Sequence, residues 1–296
     1  MSPKTLREHL RRFFLSPQSA RPLAAARIVL GLAMMAEAVL IWRSLDDLFG
    51  PYGFLQADLM DVFEGPNLPS LGLWLEQAGF DYSGILHVLF ILRWIFLITF
   101  TLGYRTRTSA VGLLLFQIFI LSSGALSSYG VNRYFHVFLF LMVFMPIGES
   151  YSLDRRKRGE AETPTVSARL SLRFLQVALL LTYLNAGVAK AAGTEWWTGD
   201  AIWRVLNLPE FTTGNFFWLA SVPLIPKILG WGTLFLETFY IVGVWIPRVS
   251  GLWVLAIVSM HLAIAAYMGL MTFGLTLAFL NLALFWDQLK RSPSLR

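Results

Sequence analysis

One lysine inside an apolar helical stretch has a residue type and a spacing that could perform chemistry. Lys190 lies within residues 181–203, LTYLNAGVAKAAGTEWWTGDAIW. Counting back from it by helical spacing meets Gly187, Tyr183 and Gln176, so Lys190 ends a stripe of small or polar residues that we expect to face protein rather than lipid. In a water-poor pocket an amine is favoured in its neutral form, and a neutral amine is a base. The stripe therefore makes Lys190 the candidate catalytic residue.

The segment after Lys190 supports a second interpretation. Trp196 and Trp197 follow closely, and tryptophan and lysine are both typical of membrane interfaces. A charged lysine at the centre of a spanning helix costs about 2.5–3.5 kcal/mol, which a side chain near the helix end avoids by extending to the interface. The spacing alone leaves both interpretations of Lys190 open.

Polar side chains occur at a similar depth in several of the predicted helices. We expect them to line an outward-facing cavity, and the candidate substrate pocket contains Glu37, His87, Arg93, Asn132, Arg133, His136, Tyr183, Trp197, Glu237 and His261. Structural ion pairs, for instance Glu37 with Arg93, are the alternative for about half of such groups.

A metal site is permitted by the residue types but not favoured by their spacing. Imidazole and carboxylate ligands suit zinc or iron, yet the histidines and glutamates lie on separate helices without an HxxxH, HExxH or ExxH pair. We therefore predict no metal. The chain has no cysteine, which excludes thiol catalysis and disulfides. It also lacks the GxSxG, Walker and dinucleotide fingerprints.

The composition identifies an integral membrane protein. Of 296 residues, 56% are hydrophobic and 14% are charged, against about a quarter charged in soluble domains. The apolar stretches are long and do not alternate with period two, so we predict an all-α, polytopic helical bundle. We expect the first helix to be retained rather than cleaved as a signal peptide.

We predict about eight spanning helices in one domain covering residues 1–296. Their approximate bounds are 23–45, 84–103, 109–128, 134–147, 169–192, 229–246, 249–267 and 270–286. Residues 1–22 form a basic interfacial segment, and SYGVNRY (128–134) is predicted to be a tight outer turn. The inner loop SLDRRKRGEAETP (152–164) is predicted to be solvated.

Two outer segments are predicted to contain short interfacial or re-entrant pieces. In residues 46–83 we expect an interfacial helix near 71–75. Residues 193–227 should form a partly buried lid. Trp196, Trp197 and Trp203 supply amphipathic anchors, and Pro209, Pro223 and Pro226 prevent one continuous helix.

The distribution of basic residues predicts the orientation. In the predicted topology the inner segments hold 15 Lys and Arg residues and the outer segments hold three. By the positive-inside rule both termini lie in the cytoplasm, and the protein spans the inner (cytoplasmic) membrane. The net charge of +6 comes from loops that flank apolar spans, so we exclude a nucleic-acid partner.

At AGVAKAAGTEWWTGDAIW the chain resembles the HTTM (horizontally transferred transmembrane) domain family, whose members include vitamin K-dependent gamma-glutamyl carboxylase and many bacterial proteins. The blocks GYRTR, FMPIGESYSLDRR, PEF, GWGTLFLET and VWIPR extend the resemblance over nearly the whole chain and are similar to the bacterial branch.

The resemblance implies a quinol-dependent lyase and epoxidase chemistry. In the carboxylase a lysine of this motif deprotonates reduced vitamin K; the anion reacts with dioxygen, and the strong base so formed removes a glutamate gamma proton before carbon dioxide adds. Lys190 is the position that carries this role over. The assisting histidine of the family aligns near Asn132 and Arg133, about one turn from His136.

The implied cofactors are therefore a reduced vitamin K or menaquinol-like quinol, dioxygen and carbon dioxide. The implied partners are the lipid bilayer, a quinone or lipid, and an exported peptide or maturation partner. The carboxylase carries a large lumenal region that this sequence lacks after Arg296, which leaves the substrate open. A non-enzymatic maturation or immunity partner is the alternative function. A transporter is less favoured, because no inverted repeat is visible.

Overall fold

A computed structural model describes residues 3–50, 53, 78–79, 82–122, 130–159, 161–211 and 213–291. This part of the chain is helical and contains no strand. Its helices are α1 (Pro3–Leu15), α2 (Arg21–Trp42), α3 (Leu45–Phe49), α4 (Tyr82–Leu102), α5 (Thr106–Ser122), α6 (Gly130–Val143), α7 (Leu153–Arg158), α8 (Val166–Ala191), α9 (Thr194–Thr198), α10 (Asp200–Asn207), α11 (Leu224–Gly243), α12 (Ser250–Met268) and α13 (Met271–Arg291). The all-α prediction is confirmed.

Five of the described helices are long and apolar enough to cross a membrane. They are α2, α4 from Ser83, α8, α12 and α13 to Lys290. Each coincides with a predicted span. The other three predicted spans correspond to α5, α6 and α11, which have 17, 14 and 20 residues. The predicted end of the third span (123–128) and the interfacial helix near 71–75 lie outside the described residues.

Two predicted boundaries are wrong for identifiable reasons. Helix α6, which corresponds to the fourth predicted span, begins at Gly130. The residues GVNRY of SYGVNRY are therefore the first turn of this helix rather than a loop. Helix α11, which corresponds to the sixth predicted span, begins at Leu224 and contains Pro226. Proline is tolerated there because the first-turn N–H groups of a helix have no intrahelical acceptor.

The described chain divides into two compact units. The N-terminal unit is Leu15–Arg169, and the C-terminal unit combines Met1–Phe14 with Leu170–Arg296. The residues of helix α8 begin in the N-terminal unit and continue in the C-terminal unit.

In the N-terminal unit, α2 carries a fully buried arginine that holds a helix end and a loop. Arg27 donates from Nη1 to the Ile147 carbonyl at 2.7 Å, and from Nη2 to the carbonyls of Tyr151 at 2.5 Å and Thr101 at 3.4 Å. Its planar fork reaches acceptors in different directions at once, which a lysine ammonium does not. Arg27 therefore ties the end of α4 to the loop that follows α6.

The charged segment that contains α7, predicted to be a solvated inner loop, is folded onto the α4–α5 turn. Ser152 caps α7 by accepting from the Arg155 N–H at 3.0 Å. Asp154 accepts from the Arg105 N–H at 2.8 Å, the Thr106 N–H at 2.9 Å and the Thr106 hydroxyl at 2.6 Å. The blocks GYRTR and SYSLDRR thus meet at one carboxylate.

These contacts set the acidity of that carboxylate. Partial burial alone would raise the pKa of Asp154, but the hydrogen bonds from Thr106 and Arg105 and the charge of Arg158 lower the pKa below its ordinary value of 3.8. A carboxyl whose pKa is lowered by folding stabilises the folded state above the ordinary value, and the contribution is lost as the pH falls through the lower folded pKa.

In the C-terminal unit, α8, α11, α12 and α13 are the long helices. Residues 193–227 connect α8 to α11 through α9, α10 and a 3₁₀ helix at Phe217–Ser221. Gly199 separates α9 from α10 at φ 92°, a conformation that glycine adopts readily. Leu219 and Pro226 are buried, as expected for a partly buried segment, and its role as a lid stays a prediction.

Candidate functional site

Helix α8 presents Lys190 in its last turn. Gln176 and Tyr183 are buried, and Gly187 between them and Lys190 is buried as well. The predicted protein-facing stripe is therefore confirmed. A cation in the last helical turn also interacts favourably with the helix dipole.

Lys190 forms an ion pair with a carboxylate of α11. Its Nζ donates to Glu237 Oε2 at 2.7 Å, and the side chain of Lys190 is 26% exposed whereas that of Glu237 is 8% exposed. The ammonium also lies 5.4 Å from the centre of the Trp196 ring. The buried carboxylate is thus neutralised by a cation that keeps some access from outside the fold.

The pair depends on the close approach of two helices at Gly187. A Cβ placed at Gly187 would lie 2.7 Å from the Thr238 backbone nitrogen and 3.1 Å from Glu237 Cβ. Because real Cβ atoms do not come this close to backbone, only glycine lets α8 and α11 pack at this level. A Cβ placed at Gly232, also on α11, would meet no described atom within 4 Å beyond its own helical turn.

Four buried polar side chains, one from each of four helices, form a hydrogen-bonded network next to the ion pair. Tyr183 Oη lies 2.7 Å from His261 Nε2, and Asn281 Nδ2 donates to Tyr183 Oη at 2.7 Å. Tyr240 donates its hydroxyl proton to Asn281 Oδ1 at 2.9 Å. Such networks fix side-chain orientation because each member is held by the next.

The network and the ion pair share two helices. Tyr183 precedes Lys190 by seven residues on α8, about 10 Å along the axis, and Tyr240 follows Glu237 by one helical turn on α11. We call the ion pair and the network together, Lys190, Glu237, Tyr183, Tyr240, Asn281 and His261, the candidate site.

Tryptophans of α9 and α11 lie near the C-terminal end of α8. Trp197 is half exposed and donates from Nε1 to the Ala191 carbonyl at 2.8 Å. Trp231 donates to the Trp197 carbonyl at 3.0 Å. A cleft of about 190 Å³ lies nearby between α10 and the 3₁₀ helix, with Trp203 and Leu219 in its walls.

The remaining predicted pocket residues belong to the N-terminal unit. Arg93 donates to Glu37 at 2.5 Å, and both side chains are buried, so the ion pair suggested by their depth is confirmed. His87 lies 3.4 Å from Asp46 through Nε2 and 2.9 Å from the Ser83 carbonyl through Nδ1.

The three residues near the aligned position of the assisting histidine lie on α6. Asn132 is buried, and its backbone carbonyl accepts from the side-chain amide of Gln117 at 3.5 Å. Arg133 is exposed and His136 is partly buried. Their membership of a shared pocket with Lys190 stays a prediction. Among the described residues, no group of three His, Asp or Glu side chains is placed to hold a metal ion.

Sequence reasoning missed Asn281 and Tyr240. Asn281 is the one amide-bearing residue in the apolar part of α13, and an isolated buried amide within a spanning helix is itself a signal of an interhelical hydrogen bond. Tyr240 carried no such signal, because tyrosine is also common at apolar and interfacial positions.

No protein-family model, no curated protein and no solved structure matches this chain. The fold and the site therefore define it by themselves, as a helical membrane protein with a lysine–carboxylate pair above a buried polar network.

Proposed function

We propose that the chain is an HTTM-family, vitamin K-dependent carboxylase-like membrane enzyme that carries out a quinol- and oxygen-dependent modification of an exported peptide or small substrate. The observation that supports this proposal is the 2.7 Å contact between Lys190 Nζ and Glu237 Oε2. In an apolar fold, an amine that shares a proton with a carboxylate is a proton acceptor held without net charge.

The two groups can exchange that proton. When it resides on Glu237, the Lys190 amine is neutral and accepts a proton from an acidic hydroxyl. The ammonium so formed remains beside the new anion and stabilises it electrostatically. Lys190 is the member of the pair that touches the substrate, because its side chain is 26% exposed against 8% for Glu237.

The surroundings of the pair fit a quinol. Trp196 supplies an aromatic ring beside the ammonium, and apolar helices give access to a ligand that partitions into the bilayer. When bound, a reduced vitamin K or menaquinol-like quinol supplies an acidic hydroxyl and reducing electrons for dioxygen, with carbon dioxide as the group added. The chain's own residues orient that hydroxyl, remove its proton and hold the proton on the Lys190 amine.

The test is a quinol-oxidation assay on the full chain in nanodiscs, measured as oxygen uptake. Lys190→Met removes the acceptor and Lys190→Arg replaces it with a group that stays protonated, so both should lower the rate by about 10²–10⁴-fold. Lys290→Met, an exposed lysine at the end of α13, is the matched control and should keep the wild-type rate. Wild-type oxidation in Lys190→Arg would overturn the catalytic assignment.

Exposed aromatic residues favour the second candidate function, a non-enzymatic maturation or immunity partner for a secreted peptide or protein. Phe217 and Trp218 of the outer segment are 62% and 54% exposed, and aromatic residues are enriched at protein contacts. In that case Trp218→Ala should abolish maturation while Lys190→Arg leaves it intact. The opposite result would exclude this function.

We also propose the full topology. Eight spans, comprising the five candidate helices with α5, α6 and α11, would place both termini in the cytoplasm of a cell with an inner membrane. The basic residues of the inner segments support this orientation. A reporter that is active only outside the membrane should be silent when fused after Arg296, and activity would overturn the topology.

A further inference from the structure

Helix α1 carries an exposed apolar stripe bordered by arginines. Leu6 and Leu10 are half exposed, and Phe14 is exposed as well. These three residues, spaced by four, lie on one face of the helix and are called here the apolar stripe. Arg7 and Arg11 are exposed and each follows a leucine of the stripe by one residue, about 100° around the helix. A row of cations therefore runs alongside the apolar stripe.

The last turn of α1 is held against the C-terminal unit by an arginine of α8. The guanidinium of Arg173 lies 3.8 Å from the centre of the Phe13 ring and 4.8 Å from that of the Trp245 ring. Its Nε donates to the Phe13 carbonyl at 3.2 Å, which is one of the last four carbonyls of α1 and has no donor within that helix. Phe13 therefore makes the protein contact, while the apolar stripe beside it stays exposed.

These contacts place α1 at one end of the long helices. Arg173 lies near the beginning of α8. Trp245 follows the end of α11, and its ring lies 6.1 Å from that of Phe285 near the end of α13. Lys190 comes 17 residues after Arg173 on α8, about 25 Å along the axis. Helix α1 and the Lys190–Glu237 pair thus lie at opposite ends of the C-terminal unit.

The residue types at this end are those of a membrane interface. Tryptophan and arginine are typical of the level where headgroups meet acyl chains, and Trp286 of α13 is half exposed beside Lys290. The acidic residue of α1 among its described side chains, Glu8, is two residues from either leucine and so lies on the far side of the helix from the stripe. An apolar face edged by basic side chains fits a surface with acyl chains below and negative charge above.

We propose that α1 is an in-plane membrane anchor that selects anionic phospholipids. The apolar stripe inserts at the boundary between headgroups and acyl chains, and Arg7 and Arg11 contact the lipid phosphates beside it. Basic side chains next to a membrane attract anionic lipids over about one Debye length. The interaction is independent of the quinol chemistry, because it concerns the other end of the C-terminal unit.

The first test measures the immersion of α1 in the full chain, in nanodiscs of phosphatidylcholine and phosphatidylglycerol in equal parts. Because the chain has no cysteine, Leu10→Cys and Glu8→Cys each give one attachment point for a spin label. Oxygen, which concentrates in the acyl region, should reach the label at position 10 more than a water-soluble nickel chelate does. The label at position 8 should show the reverse.

Two results of this test would overturn the anchor. If the nickel chelate reaches position 10 as well as it reaches position 8, the stripe faces water. If position 10 is shielded from both oxygen and the chelate, the stripe is covered by protein, such as a second copy of the chain, rather than by lipid.

The second test measures which headgroup gathers at α1. A fluorophore on Leu10→Cys is quenched by a trace of doxyl-labelled phosphatidylglycerol or, separately, doxyl-labelled phosphatidylcholine, in otherwise identical nanodiscs at low salt. The anionic lipid should quench about fivefold more effectively, the attraction expected for one arginine near the surface. In the double variant Arg7→Gln with Arg11→Gln, the ratio should fall to about one, because the local positive charge is lost.

The matched control is Arg107→Gln with Arg156→Gln. It removes the same charge from two exposed arginines of the N-terminal unit and should leave the ratio unchanged. Equal quenching by the two lipids, or a preference that survives in Arg7→Gln with Arg11→Gln, would overturn the selection of anionic lipid by these arginines.

Discussion

Removal of Lys190 should destabilise the fold more than removal of its partner. In Lys190→Met the Glu237 carboxylate, 8% exposed, is left without its cation. In Glu237→Gln the amide oxygen still accepts a hydrogen bond from Nζ, and the ammonium, 26% exposed, keeps some access to water. Because Glu237 is less exposed than Lys190, loss of the lysine should lower the free energy of unfolding more than loss of the carboxylate.

The magnitudes follow from the burial of each group. Breaking a buried ion pair costs about 3–5 kcal/mol, and the partial exposure of Lys190 puts Lys190→Met at the lower end, about 3 kcal/mol. Glu237→Gln should cost about 1 kcal/mol, since a neutral hydrogen bond replaces a charged one. The double variant has no buried charge and retains one unpaired amide, so we expect about 2 kcal/mol rather than the additive value of about 4.

The assay is unfolding of the full chain by SDS in mixed micelles, followed by circular dichroism for the two single variants and the double variant. The coupling should be about 2 kcal/mol, as expected for two groups in direct contact. Lys290→Met is the control for losing an exposed lysine and should stay within about 0.5 kcal/mol. The reasoning is refuted if the change in unfolding free energy of the double variant equals the sum of the two single changes. The two side chains would then contribute no interaction energy.

Three further changes test how the fold holds the site and the inner loop. Gly187→Ala should separate α8 from α11 and lower quinol oxidation at least about tenfold, since misplacement by about 1 Å is costly, whereas Gly232→Ala on α11 should keep the wild-type rate. Protection of the α4–α5 turn against hydrogen exchange should fall as the pH drops below 3.8, and Asp154→Asn should show low protection without that pH step. Arg27→Lys should lower the free energy of unfolding by about 2 kcal/mol, because lysine cannot reach the same carbonyls and leaves some unpaired. Arg43→Lys, exposed at the end of α2, is the control and should change that free energy by less than about 0.5 kcal/mol.

Much of the fold could be predicted from hydropathy, because each predicted span overlaps a helix in its described part and five of those helices are long and apolar enough to cross a membrane. The errors arose where local signals have two meanings. Pro226 signals a helix end in most positions but is compatible with a first turn. The run SLDRRKR has the charge of a solvated loop, yet Ser152 and Asp154 can act as a helix cap and an acceptor, and only their contact with the α4–α5 turn distinguishes these cases.

The candidate site was predictable in part. Helical spacing predicted the buried stripe that ends at Lys190, and depth predicted the Glu37–Arg93 pair. The partner of Lys190 was not predictable, because Glu237 lies 47 residues further along the chain and several charged groups share its depth. Depth orders the polar groups along the membrane normal, but the rotation of each helix decides which of them meet.

The geometry of Lys190 unites features of both interpretations that the spacing left open. It lies in the last turn of α8, beside Trp196 and 26% exposed, as an interfacial lysine would. A lysine that only reaches for the interface gains nothing from a carboxylate that is itself 8% exposed, because burying that carboxylate costs free energy that only a paired cation offsets. Glu237 is the informative residue of the pair, because its burial opposite the amine requires a paired cation, and in the proposed function that pair is the group that exchanges the proton.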